Sequence, residues 1–350
     1  MAETQQKDEH ADRGSSTIAP NEEIPDDALT VGVDVGGTKI AAGVVDGTGK
    51  LLAHTRRETP AQNTAGVLSG IADAVRELAA SHEVAAVGIG AAGFVDATRS
   101  TVMFAPNLAW RDEDLRSALT AQLHLPVIVE NDANAAAWAE SRFGAGRDHD
   151  DLAAITIGTG VGGGLVVGGR LLRGGYGVAS EIGHITMVPY GRRCGCGLQG
   201  CWEQYGSGRA LVTEAREIAR HSPAFAAGLL ADAGGDPDGI SGEMVTAAAQ
   251  RGDVGALHCF DEIGRWIGLG LAQLAAVLDP SLFVIGGGVS AAGEVLRSRV
   301  ESVFRGNLTG RGHRPVAEVR LAELGWEAGM VGAADLARTH RDTAVSGRAS

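Results

Sequence analysis

Three cysteines and one histidine, Cys194, Cys196, Cys201 and His184, fall within eighteen residues of one another. Thiolate sulfur and imidazole nitrogen are donors that zinc favours, and the intervening Gly195, Gly197 and Gly200 permit the sharp turns needed to gather them. Four protein donors complete a tetrahedral shell and leave no position for an activated water, so the expected zinc ion is structural and not catalytic. Glu181 and Glu203 bracket the cluster, and the metal would fix the loops that carry them. The N-terminus is acidic and polar, without the basic and apolar regions of a secretory signal, so metal ligation suits these cysteines better than disulfides do. Cys259, beside Leu257 and Phe260, reads as a buried structural thiol.

A second group with chemical potential is Asn131-Asp132, which follows the apolar strand Val127–Val129 and precedes an alanine-rich helical stretch through Phe143. Both residue types cap helices. At a strand end facing a cleft, Asp132 can also accept the proton of an alcohol attacking a phosphoryl group, kept ionised by nearby helix N–H groups. Asn131 both donates and accepts, which suits a sugar hydroxyl.

Glycine-bearing turns form the third group. Gly158-Thr159-Gly160-Val161-Gly162-Gly163 matches the dinucleotide pattern G-x-G-x-x-G, but that fingerprint needs a helix to begin at the glycines. Here β-prone Leu165-Val166-Val167 follows and ends at the pair Gly168-Gly169, which is hairpin chemistry. Nor is there a G-x-x-x-x-G-K-[ST] sequence. Instead, Gly36-Gly37-Thr38-Lys39 and Gly158-Thr159-Gly160 can present backbone N–H groups to a polyphosphate from opposite sides, with Thr38, Lys39 and Thr159 as added donors. Asp34 could hold magnesium through water, since that ion keeps much of its hydration shell. Gly286-Gly287-Gly288, taken alone a weak signal, could let an adenine lie flat on the backbone.

The elements that must position these groups occur twice. Leu29–Val35 is an apolar strand that ends at the first glycine turn and resumes as Ile40–Val45; a turn at Asp46–Gly49 leads to a third strand, a helix over Thr64–Ser81 and a strand over Val84–Ile89. Leu152–Ile157 opens a second copy, with a turn at Gly158–Gly160, a strand over Leu165–Val167 and another at Leu171-Leu172. A long apolar-faced segment over Ala256–Leu278, a buried strand over Leu282–Ile285 and a helix from about Ala291 follow. The pattern predicts a duplicated α/β fold with a cleft between its halves.

With 350 residues and 44% hydrophobic content, the chain has enough material for two lobes with real cores. The net charge is −13, of which residues 1–27, with eight acidic and two basic side chains, carry −6. That stretch reads as a disordered acidic leader. The charge argues against a nucleic-acid partner, and the absence of a long apolar run argues against a membrane span, so the expected location is cytoplasmic.

Taken together, these residues resemble the ROK family, a group of sugar kinases and sugar-responsive repressors, and within it the bacterial ATP-dependent glucokinases. The resemblance runs from about Leu29 to Arg338 and is carried by Asp34–Lys39, Glu130-Asn131-Asp132-Ala133-Asn134-Ala135, Ile157–Gly175, Glu181-x-Gly183-His184, and the Cys-x-Cys-Gly-x-x-Gly-Cys-x-Glu segment ending at Glu203. It implies an actin-like, ribonuclease H-like fold of two lobes: 28–131, completed by a C-terminal helix near 327–340, and 132–326 with the zinc-bound loop, leaving 341–350 as a disordered tail. ATP with magnesium and glucose would meet in the cleft. By the same resemblance Asp132 is the general base for the sugar 6-hydroxyl, while Gly93, Asn107, Asn131, Glu181, His184 and Glu203 contact the hexose. Dimers or tetramers are implied as well. A kinase of another hexose or of an N-acylhexosamine, and a non-catalytic sugar-sensing regulator, remain as alternatives; the leader is too short and too poor in apolar residues for a helix-turn-helix domain.

Overall fold

The structure, a computed structural model, describes residues 24–339. Strands β1 (Thr30–Val35), β2 (Lys39–Val45) and β3 (Leu51–Glu58) form an antiparallel meander, and helix α1 (Thr64–Ala79) crosses over to β4 (Ala86–Ala91), parallel to β1. A small antiparallel sheet of β5 (Phe94–Val95), β6 (Thr101–Phe104) and β7 (Arg111–Asp114) precedes helix α2 (Leu115–Leu123) and β8 (Val127–Asn131). Helix α3 (Asp132–Phe143) leads into the second half, with β9 (Leu152–Ile157), β10 (Val161–Val167) and β11 (Arg170–Leu171). Beyond the zinc-type loop come α4 (Glu203–Gly206), α5 (Gly208–His221), α6 (Ala227–Asp232), α7 (Gly242–Gln250) and α8 (Val254–Leu278), then β12 (Leu282–Gly286), α9 (Glu294–Asn307), β13 (Glu318–Leu321) and α10 (Ala328–Thr339).

The first sheet runs β3-β2-β1-β4-β8 and the second β11-β10-β9-β12-β13. In each, an antiparallel meander is extended on its other side by two parallel strands, so one plan is used twice. This is the duplicated plan that the pattern predicts and the two-lobe, actin-like architecture that the resemblance implies. Burial follows strand position: β1 and β4 are covered on both faces, whereas β3, at an edge, alternates half-buried and exposed residues. Helix α8 buries Phe260, Ile263, Ile267, Leu271 and Leu274, a helical spacing that aims one face into the larger core.

Several boundaries differ from the sequence-based expectation. Strand β10 begins at Val161, not Leu165, because Gly162–Gly164 serve close packing within the strand: a Cβ at Gly163 would lie 2.3 Å from Ile182 Cδ1, and one at Gly164 would lie 2.4 Å from Ala137 Cβ. Strand β4 is displaced two residues toward the C-terminus, as Ala85 N–H bonds Leu29 O and the parallel run begins with Ala86 beside Thr30. Helix α1 ends at Ala79, two residues before the expected Ser81. After the glycine triplet a 3₁₀ turn over Gly288–Ala292 and Gly293, at φ 64, intervene, so α9 starts at Glu294. At the N-terminus, Ile24 packs against the core and Asp26 O closely approaches Gly47, so packing begins inside the stretch read as leader. Residues 1–23 of that leader, and the expected tail over 341–350, lie outside the described residues.

Helix α10 returns from the end of the second half to cover the first sheet, and glycines make the approach possible. A Cβ at Gly32 would sit 1.8 Å from Met330 O, one at Gly88 1.8 Å from Ala333 O, and one at Gly332 1.7 Å from Ala135 O. Buried Arg338 then bonds Ala28 O, Thr30 Oγ1 and Val45 O, and pairs with Asp335 at 2.8 Å. Since backbone atoms cannot yield as a flexible side chain can, Gly88→Ala is expected to cost about 3 kcal/mol or more. A thermal melt checks this; an unshifted transition would show that α10 moves away at little cost.

Candidate active site

The strands stop where the chemistry is needed. Asp34 near the end of β1, Asp132 at the start of α3, and Gly286 and Gly287 at the end of β12 line one cavity of about 220 Å³, together with Thr156 and Trp326. Burial pushes the Asp34 carboxyl up, opposed by the charge of Lys39. A Cβ at Gly329 would come within 3.1 Å of Asp34 Cγ, so this carboxyl rests on the first turn of α10. Burial also pushes the Asp132 carboxyl up to about 7, reinforced by the Asp34 charge and less strongly by Glu181, against the ionising effect of a hydrogen bond from Ala133 N–H. Two neighbouring carboxylates facing one cavity are the donor set of a hard cation such as magnesium.

Asn131 has the capping geometry that its position predicts. Its Oδ1 accepts from Asn134 N–H at 3.0 Å and its Nδ2 donates to Gly93 O at 3.2 Å, which leaves one N–H and one lone pair for a ligand. Gly93 thus meets Asn131 directly. Asn107 lies against the first glycine turn, where a Cβ at Gly37 would be 2.9 Å from Asn107 Cβ.

The second turn reaches the other side of the site. A Cβ at Gly160 would sit 2.5 Å from Glu203 Oε2, and Gly158 O accepts from Gly208 N–H at the start of α5. Gly287 is at φ 83 with Ile157 O against it, a place only glycine fills without strain. The cavity wall includes Gly286 and Gly287 but neither Gly36–Lys39 nor Gly158–Gly160; Thr38, Lys39, Thr159 and Gly288 are exposed.

Glu181 occupies an inverse γ-turn (φ −69, ψ 50) closed by Ile182 N–H to Ser180 O at 2.7 Å. The residue before it, Ser180, is held at φ 79, in the left-handed region that side chains avoid. Burial pushes the Glu181 carboxyl up; the His184 charge opposes this and that of Glu203 adds to it. An arc of acids therefore runs from Asp34 through Asp132 to Glu181 and Glu203.

His184, Cys194, Cys196 and Cys201 place their donor atoms within 4.8 Å of one another. Cys196 Sγ is 3.7 Å from Cys201 Sγ and His184 Nδ1 is 3.6 Å from Cys194 Sγ. These separations match the edges of a tetrahedron with Zn–S bonds of about 2.3 Å and Zn–N bonds of about 2.0 Å, so the residues fit zinc. The loop is tied by bridges Thr186↔Cys201 and Arg193↔Gln199, and Gly200 passes so close to Val188 O that a Cβ would lie 1.7 Å away. Buried Trp202 anchors it to α8: the indole donates to Trp266 O at 2.9 Å, and its ring fills the notch left by Gly270.

One residue of the segment that carries the resemblance, Glu130, has a role that the sequence does not reveal. Fully buried Glu130 receives Arg99 Nε at 3.1 Å and Arg173 Nε at 2.7 Å. Its carboxylate also accepts from Asn131 N–H and Asn134 Nδ2.

Comparison with known proteins now decides the family. The ROK family profile matches residues 30–340. The chain belongs to the ROK family. Among relatives, a glucokinase of Streptomyces coelicolor is 52% identical over 310 residues, covering 89% of this chain and 98% of the relative. A crystal structure of a ROK family glucokinase from Streptomyces griseus, in complex with glucose and AMPPNP, shares 53% identity at a TM-score of 0.83 and covers 89% of this chain and all of that one. A ROK hexokinase from Thermus thermophilus follows at 36% identity and a TM-score of 0.73, covering 88% of this chain and 97% of that one. As in the rest of this ROK chain, the two matched lobes contain the whole acid arc and the zinc-type cluster.

Proposed function

We propose that this protein is an ATP-dependent glucokinase, transferring the γ-phosphoryl group of ATP to the 6-hydroxyl of glucose. The observation that carries this reading is 52% identity with a glucokinase over 98% of that relative's length. Supporting it, Asp132 and Asp34 face one cavity at the junction of the lobes.

Asp132 is the general base that takes the 6-hydroxyl proton as the new O–P bond forms. Asn131, Glu181, His184 and Glu203 hold the other hydroxyls, with Gly93 and Asn107 closing the sugar side. His184 Nδ1 is the ring nitrogen near Cys194, which leaves Nε2 for a hydroxyl. The backbone of Gly36, Gly37, Gly158 and Gly160, with Thr38, Lys39 and Thr159, cradles the phosphates, and Gly286–Gly288 supports the adenine. Asp34 would hold magnesium through water; the ion supplies charge neutralisation at the phosphates. Zinc would be held by His184, Cys194, Cys196 and Cys201 as a structural ion. Closure of the lobes excludes water that would otherwise hydrolyse the nucleotide. Among the described residues no helix is long and apolar enough to cross a membrane; a cytoplasmic location and a dimeric or tetrameric assembly belong to this proposal.

Steady-state phosphorylation of glucose, other hexoses and N-acylhexosamines, with ATP and polyphosphate as alternative donors, tests the assignment. Glucose with ATP is expected to give the highest kcat/KM; glucose left unphosphorylated would overturn it. The pH profile is a further check. A base must be ionised to act, and the Asp132 carboxyl titrates at about 7, so kcat/KM is expected to fall as the pH drops through that value and to level off above it. A profile flat from about pH 6 to 8 would remove Asp132 from this role.

A further inference from the structure

We propose that Glu130 and Arg173 form a clasp between the two lobes that sets the spacing of the two halves of the sugar site, which makes both of them positioning residues; the proposal rests on the sugar-kinase reading above. Arg173 follows β11 of the second sheet, and Glu130 belongs to β8 of the first. Their ion pair, at 2.7 Å, therefore joins the lobes. The other two guanidinium nitrogens are also engaged in the first lobe: Nη2 donates to Asp96 O at 2.8 Å and Nη1 to Ala97 O at 2.9 Å, in the turn between β5 and β6. All three nitrogens therefore face the first lobe, Nε through the ion pair and the two Nη through hydrogen bonds.

The receiving turn is rigid for its own reasons. Asp96 Oδ1 accepts from Ser100 N–H and Thr101 N–H, both at 2.9 Å, and Val129 N–H bonds Arg99 O at 2.9 Å, which locks the turn to β8. Gly177 rests on the same turn at φ 90, with Val95 O and Asp96 C each 2.5 Å from where a Cβ would be. The segment 173–177 is thus seated on the first lobe by one arginine and one close backbone approach.

Placement gives the clasp its consequence. Asn131 and Asp132 follow Glu130 directly, and Glu130 Oε1 accepts the Asn131 N–H at 2.9 Å. On the other strand of chain, Glu181 and His184 follow the seated segment after the strained Ser180. One ion pair therefore stands between the first-lobe and second-lobe sugar contacts. Stability alone does not account for it, because a buried ion pair gains little over apolar packing of similar volume.

Arg173→Met tests the clasp without leaving Glu130 unpaired, since Arg99 still faces that carboxylate. In this variant KM for glucose is expected to rise roughly tenfold to a hundredfold, with KM for ATP within about twofold and a smaller fall in kcat. Arg173→Lys, which keeps the charge but not the fork, should recover part of the loss. A lowered melting temperature with unchanged KM for glucose in the folded enzyme is the signature of a merely structural arginine and would overturn the proposal. Amide exchange on the wild-type protein needs no variant: glucose should slow residues 95–99 and 173–177 together, and protection of one segment alone would also overturn it. Wild-type protein that phosphorylates no hexose would sink the kinase reading, whereas active wild type with variants indifferent to glucose would sink only the clasp.

Discussion

Replacing Asp132 with Asn is expected to lower kcat by roughly a thousandfold while KM for glucose changes by no more than a few-fold. Asparagine keeps the shape of the side chain and an oxygen for the Ala133 N–H, now bonded at 2.9 Å, so the start of α3 is preserved. What it loses is the ability to take a proton. The same substitution carries a stability signature of the opposite sign. A buried carboxyl whose pKa is raised from 3.8 to about 7 contributes stability that is whole below the lower value and is lost progressively up to the higher one, because burial and the charges of Asp34 and Glu181 oppose the ionised form. The neutral amide has no such loss, so the variant should melt at a higher temperature than wild type above pH 7, by a smaller margin at pH 5, and with no such advantage below about pH 4. Measured turnover close to wild type would mean that the hydroxyl proton leaves by another route.

The second large effect belongs to the zinc-type loop. Cys196→Ser is expected to remove zinc and raise KM for glucose by at least about a hundredfold, with KM for ATP changed much less. Apart from its backbone bridges the loop has few apolar contacts: Tyr190 and Leu198 are exposed, and Trp202 is its main apolar anchor. Burial raises the Cys194 thiol, so the thiolate at this position depends on a cation. That thiol now lies 3.0 Å from Glu203 Oε1, and a metal-bound thiolate, having no proton to donate, would release this oxygen to a sugar hydroxyl. Zinc content per chain and equilibrium glucose binding check the expectation together. Metal-free protein that binds glucose as well as the zinc-loaded form would contradict it.

The residues that announce themselves in the sequence are those whose chemistry demands a local pattern. The cysteine spacing, the Asp34 strand with its glycine turn, and Asn131-Asp132 between a strand and a helix are all contiguous, and the structure brings Asp34, Asp132, Gly286 and Gly287 to one cavity. Helix α10 covers the first sheet, but the glycines at 32, 88 and 332 that admit it carry no sign of which backbone they will touch. The Glu130–Arg173 pair was invisible for the same reason: it joins distant segments, and neither an arginine after a hairpin nor a glutamate ending a strand has a periodic signature. Ser180 at φ 79 could not have been anticipated either, since serine gives no hint of a left-handed backbone. Gly162–Gly164 misled in the other direction, as glycines that serve close packing look like glycines that serve a turn.

The route of α10 has a consequence for biosynthesis. On the ribosome, β1 to β4 emerge early, but the helix that covers them is completed only at Thr339. Until then the nascent first lobe displays an apolar, glycine-notched face, which is the kind of surface that recruits chaperones and aggregates when they are scarce. A message truncated before this helix would leave that face of the first sheet without its cover.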